Sequence, residues 1–110
     1  MTVFLFAVIA SIVTLDPDTG RLSAFRHSFE NRYLLMEKGK PDVTALERDD
    51  VVVKRTVGED FVSFRCENPK MPGVTVEKRY VVDRARASVR RTLTFCNSTG
   101  QSKYVTPYVD

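Results

Sequence analysis

Stretches rich in Val, Thr, Phe and Tyr alternate with short runs of Gly, Pro, Asn and Asp through the second half of the chain. Residues 51–57 are followed by Gly58-Glu59-Asp60, and residues 61–66 by a loop holding Pro69, Pro72 and Gly73. Residues 74–83 lead into Arg84-Ala85-Arg86, and residues 87–96 into Asn97-Ser98-Thr99-Gly100. β-Branched and aromatic side chains suit a pleated, half-buried surface. Gly accepts the positive φ of tight turns, and Pro presets their first dihedral. Punctuation this frequent leaves no room for a helix of several turns and predicts consecutive antiparallel strands.

Alternation within these strands predicts which face is buried. Val62, Phe64 and Cys66 share one side, as do Val74, Val76, Tyr80 and Val82, and then Val89, Leu93 and Phe95. At a period of two these residues form an apolar face. Lys78 and Arg91 interrupt it; a place at a sheet edge, from which a long stem carries its charge out to water, accounts for both. Pro107 has no N–H for a ladder, so residues 103–109 are expected at an edge.

The first half reads in the same way. Asp16-Pro17-Asp18-Thr19-Gly20 is a turn between strands at residues 11–15 and 21–29. Residues 33–37 form an apolar stretch closed by Lys38-Gly39-Lys40-Pro41-Asp42, residues 43–46 a short strand, and residues 47–50 a charged break. One turn of helix around residues 28–35 is the sole helical candidate. Residues 3–13 are apolar except for Ser11, too few to span a bilayer as a helix of about 20 residues. They read as one or two buried strands, because no Lys or Arg precedes them. The competing reading, a signal segment over residues 3–10, would place the protein in a secretory or periplasmic compartment instead of the cytoplasm. The fold expected is all-β: one domain over residues 1–110, an antiparallel sandwich of about seven to nine short strands.

Hydrophobic residues at 43% and charged residues at 28% are compatible with a folded core. Seventeen basic against fourteen acidic residues is a mild excess that serves solubility. It comes with no paired aromatic RNA-binding signature, zinc-finger spacing or basic helix, so no nucleic-acid partner is expected. Two cysteines and one histidine cannot fill a tetrahedral zinc site, and no Gly-rich phosphate loop opens a helix. Neither metal nor cofactor is expected. Cys66 shares the apolar parity while Cys96 has that of Arg90, Thr92 and Thr94, so the two point to opposite faces and should remain free thiols.

The catalytic candidates are dispersed. His27 is the one imidazole, and Ser28 beside it would face the other side of a strand. The carboxylates Asp16 and Asp18, Asp49 and Asp50, and Glu59 and Asp60 fall in turns, where acidic residues commonly serve the turn itself. No enzyme is expected. A polar face on the residue 74–96 hairpin is the better candidate site. Glu77 and Arg79 on one strand and Arg90 and Thr92 on the other could grip a sugar or an anionic group, although cross-strand pairing on a solvated face is the preferred account of them. Asn97-Ser98-Thr99 is a glycosylation sequon in a turn, relevant only to a eukaryotic secretory protein.

The segments Val-Thr-Val-Glu-Lys-Arg-Tyr-Val-Val-Asp from Val74, Val-Arg-Arg-Thr-Leu-Thr-Phe-Cys-Asn-Ser from Val89, and Tyr-Val-Thr-Pro from Tyr104 resemble strands of galactose-mutarotase-like β-supersandwich domains. Leu-Asp-Pro-Asp-Thr-Gly-Arg-Leu from Leu15 is similar to their early hairpin. Domains of this kind occur as non-catalytic N-terminal domains of glycoside hydrolases and in the periplasmic region of YidC-type membrane insertases. A supersandwich needs well over 110 residues, so on this resemblance the chain spans only part of one, and its end on a strand fits a larger protein. The mutarotase catalytic His and Glu have no counterpart. The resemblance implies a non-catalytic binding module with carbohydrate as the first ligand to consider; the alternative is a structural or protein-interaction sandwich that assembles through an edge strand.

Overall fold

The computed structural model describes residues 13–24, 27–86 and 88–109. The expected strand or signal segment at residues 3–13 therefore lies almost wholly outside the described residues. Among the described residues ten strands follow in order: β1 (Val13–Leu15), β2 (Leu22–Ala24), β3 (His27–Phe29), β4 (Asn31–Glu37), β5 (Val43–Leu46), β6 (Val51–Val57), β7 (Phe61–Glu67), β8 (Val74–Asp83), β9 (Ser88–Asn97) and β10 (Lys103–Val109). The fold is all-β. The count exceeds seven to nine because the expected strand at residues 21–29 corresponds to two antiparallel strands, β2 and β3. The helical candidate at residues 28–35 is β3 running into β4.

The strands form two layers. One is the antiparallel sheet β6-β7-β8-β9; the other holds two three-stranded sheets, β1-β2-β3 and β10-β4-β5. Each small sheet covers part of the large one. Leu15 and Leu22 pack on Val62, Phe64, Cys66, Tyr80 and Val82. Tyr33, Leu35 and Ala45 pack with Met71, Val74, Val76 and Phe95. Burying each large apolar side chain contributes about 1.5–3 kcal/mol. An edge-to-face pair, Tyr33 on Phe95 with centroids 5.7 Å apart, joins the layers directly. β10 is an outer strand of its sheet, where Pro107 is expected.

Lys78 corrects the sequence expectation. It pairs with Phe64 on β7 and Leu93 on β9, in the middle of the large sheet, and is fully buried. It does not reach water at an edge. Arg91 lies on the outer strand β9 opposite Tyr80 and is half-buried. The charged break at residues 47–50 is also different in kind: Glu47–Asp49 is a 3-10 turn that carries Glu47 and Asp50 inward.

Lys78 and Tyr80 are needed because the β1–β2 turn is folded into the protein. Its own bonds run from the Gly20 N–H to the Asp16 carbonyl at 2.7 Å and from the Asp18 N–H to Asp16 Oδ1 at 2.8 Å. Gly20 sits at φ +73°, and a Cβ there would meet the Phe64 ring at 3.0 Å, so glycine is required twice over. The carbonyls of Thr19 and Gly20 consequently face the core, where unpaired acceptors are costly.

Candidate functional site

Lys78 answers the Thr19 carbonyl and Tyr80 the Gly20 carbonyl, each donating at 2.5 Å. Lys78 Nζ also lies 2.6 Å from Glu47 Oε2 and 2.6 Å from Asp50 Oδ2. The two carboxylates are held from behind. Glu47 Oε1 accepts from the Asn31 backbone N–H at 2.8 Å and from Asn31 Nδ2 at 3.0 Å. Asp50 Oδ2 accepts from the Tyr33 hydroxyl at 2.7 Å and Oδ1 from Asn68 Nδ2 at 2.8 Å. Asn68 also donates to the Leu46 carbonyl at 3.0 Å. Five separate parts of the chain therefore meet around one lysine: the β1–β2 turn, β4, the 3-10 turn, the β7–β8 loop and β8.

Burial shapes the chemistry of this centre. Desolvation first, and the neighbouring Asp50 and Glu47 charges next, hold the Tyr33 hydroxyl far above its ordinary range. Burial raises Tyr80 well above its ordinary value too. Burial pushes the Cys66 thiol up to about 11, against the opposing pull of Lys78. Cys66 is buried and Cys96 exposed, and both are free, on the opposite faces that strand parity implies. A maleimide added to the native protein is thus expected to label Cys96 alone, with Cys66 reacting only after denaturation. Rapid labelling of both thiols in the native state would contradict this arrangement.

The four residues expected to bind ligand lie elsewhere, on the outer face of the large sheet. Arg79 pairs with Thr92, Glu77 with Thr94 and Val81 with Arg90, so all four share that face. Glu77 and Arg79 line a hollow of about 200 Å³ with Lys54, Phe61, Ser63 and Arg65. Much of their polarity is engaged locally. Ser63 Oγ donates to Glu77 Oε1 at 3.3 Å, Arg65 lies 3.9 Å from Glu77 Oε2, and the Arg79 guanidinium covers the Phe61 ring at 4.0 Å. Arg90 belongs to a different hollow, with Asp60, Arg84 and Arg86. Glu30, next to β3, is held by Arg48, whose Nε lies 2.9 Å away, and this pairing keeps its carboxyl below the usual range.

A larger groove, about 720 Å³, lies between β6 and the β1–β2 turn. Asp18, Thr19, Arg48, Asp50, Lys54 and Arg55 are among its lining residues, so it opens onto the buried centre. β6 is the outer strand of its sheet. Val51, Val53 and Val57 on it are 54%, 50% and 52% exposed, although large apolar residues are ordinarily covered. A bulge between Val52 and Lys54 shifts the register. The Gly58 N–H bonds to the Phe61 carbonyl at 2.8 Å, which fixes the alternation of the ladder: Arg55 and Val57 turn their N–H and C=O groups away from β7. Among the described residues, the Asp18 carbonyl meets this edge at the Val52 N–H, at 3.4 Å.

Among the described residues no three His, Cys, Asp or Glu side chains converge on a possible metal site, and no helix is long and apolar enough to cross a membrane. No family model, no curated protein and no solved structure matches the chain.

Proposed function

We propose that the protein is a non-catalytic binding module that takes an extended polypeptide, acidic and apolar in alternation, as an added strand along β6. The observation that carries this reading is the edge itself: three half-exposed valines on a strand whose N–H and C=O groups at Arg55 and Val57 are turned away from β7, with Val51, Val53 and Arg55 lining the groove. Main-chain hydrogen bonds supply affinity in such docking, and alternate side chains supply specificity. Charge selects the partner. Residues 51–57 contain Lys54 and Arg55 and no acid. A second copy of the same edge would bring basic residues against basic residues, which together with the bulge disfavours self-pairing.

Panning a random peptide library on the immobilised protein tests the proposal. Selected peptides should alternate acidic and apolar residues, and Val57→Pro should abolish their binding while leaving the fold intact. The Val57 N–H points away from β7, so proline there removes no bond within the sheet. Peptides without that alternation, or binding unaffected by Val57→Pro, would overturn the reading.

Carbohydrate is a second reading, favoured by the outer hollow at Glu77 and Arg79. The Arg79 guanidinium would have to leave the Phe61 ring before a sugar could stack there. Glycan-array binding lost on Arg79→Ala would select it over the strand-docking reading.

A further inference from the structure

The geometry points to an intramolecular amide bond between Lys78 and Asp50, formed by the folded protein itself with Glu47 as the base. Three observations converge on it. Lys78 Nζ is 2.6 Å from Asp50 Oδ2, which places the carboxyl carbon within about 3.8 Å, close to the ~3–3.5 Å of a pair poised to react. The Asp50 carboxyl carries donors on both oxygens, Tyr33 on Oδ2 and Asn68 on Oδ1, suited to the negative charge that develops as a nucleophile adds. Glu47 is oriented through Oε1 by Asn31, while its other oxygen, Oε2, accepts no other hydrogen bond and faces Nζ at 2.6 Å. Nucleophile, electrophile and base are thus distinct groups in contact, and Lys78 and Glu47 are fully buried.

The reaction balances without an added reagent. Moving one proton from Nζ to the Asp50 carboxylate gives a neutral amine beside a neutral carboxylic acid, removing two opposite charges from a dry site. The Nζ lone pair then forms a bond to Asp50 Cγ. Glu47 takes a proton from Nζ and passes it to the departing hydroxyl. The C–OH bond breaks, one water leaves, and the product is a neutral secondary amide beside a Glu47 carboxylate. No oxidation state changes. Asp50 also lines the groove beside β6, which offers the water a way out. The bond would tie β8 to the segment joining the two layers, so this inference stands independently of what docks on β6.

Intact-mass measurement of the purified, folded and then denatured protein is the test. The expected mass is lower than the sequence mass by one water, with trypsin failing to cut after Lys78 and a cross-linked peptide joining Lys78 to Asp50. Glu47→Gln keeps the size of the side chain and should show the full sequence mass. The full sequence mass in folded wild-type protein overturns the inference, as does water loss mapped to another pair. Water loss persisting at this pair in Glu47→Gln overturns the role of Glu47. If that variant does not fold, the wild-type mass and peptide map still decide.

Discussion

Lys78→Ala is expected to cost about 3–5 kcal/mol, a large share of the about 5–15 kcal/mol that holds a domain of this size together. The loss comes from what remains. Glu47 and Asp50 would stay buried as carboxylates with no Lys78 nitrogen beside them, and the Thr19 carbonyl would keep only the weak Cys66 thiol donor at 3.6 Å. Chemical denaturation should show the midpoint falling, and thermal unfolding a Tm lower by on the order of 20 °C. Adding Glu47→Gln and Asp50→Asn to Lys78→Met should recover part of the loss, because the orphaned charges go with the lysine. A Lys78→Ala protein as stable as wild type would mean that the lysine is solvated.

Alkaline pH is expected to unfold the protein cooperatively. Tyr33, Tyr80 and Cys66 all have native values raised above their ordinary ones. A raised native value means that above the unfolded value the native state holds more protons than the unfolded state, so stability falls as pH rises. The contribution of Cys66 is complete below about 9 and is lost as pH rises to about 11. Each tyrosine then removes about 1.4 kcal/mol per pH unit above roughly 10. The structural reason is visible in both cases. Deprotonating Tyr33 puts a further anion against Asp50, and deprotonating Tyr80 takes the donor from the Gly20 carbonyl. Tyrosinate absorbance from these two residues should appear only with the loss of the circular dichroism of the sheet. Smooth ionisation of all four tyrosines in a folded protein would contradict it.

The large sheet was legible because its alternation is regular. The faces of Cys66 and Cys96 and the outer place of β10 follow from parity and from Pro107 alone. The buried centre was half-legible. Lys78 stood out as a charge on an apolar face, but a snorkelling stem explains such a position in isolation. Only the infolded β1–β2 turn, with carbonyls needing donors, makes a buried lysine necessary. Nothing local marks Glu47 and Asp50, since an acidic run between strands looks the same whether its 3-10 turn points in or out. Asn31, Tyr33 and Asn68 are drawn in by contacts 16, 17 and 18 residues apart in sequence, which no local pattern encodes. The outer-face residues were found by parity, yet parity does not show that Arg79 rests on Phe61 or that Arg90 belongs to another hollow.

Burial of Lys78 is the pivot of the fold, and acetylation of lysines in the native protein tests it most directly. Lys38, Lys40, Lys54 and Lys70 are exposed and should be modified rapidly, while Lys78 remains unmodified both in the wild type and in Glu47→Gln, where it keeps a free amine. Acetylation of Lys78 at the rate of Lys38 and Lys40, with the sheet still intact, would contradict the buried centre and everything built on it.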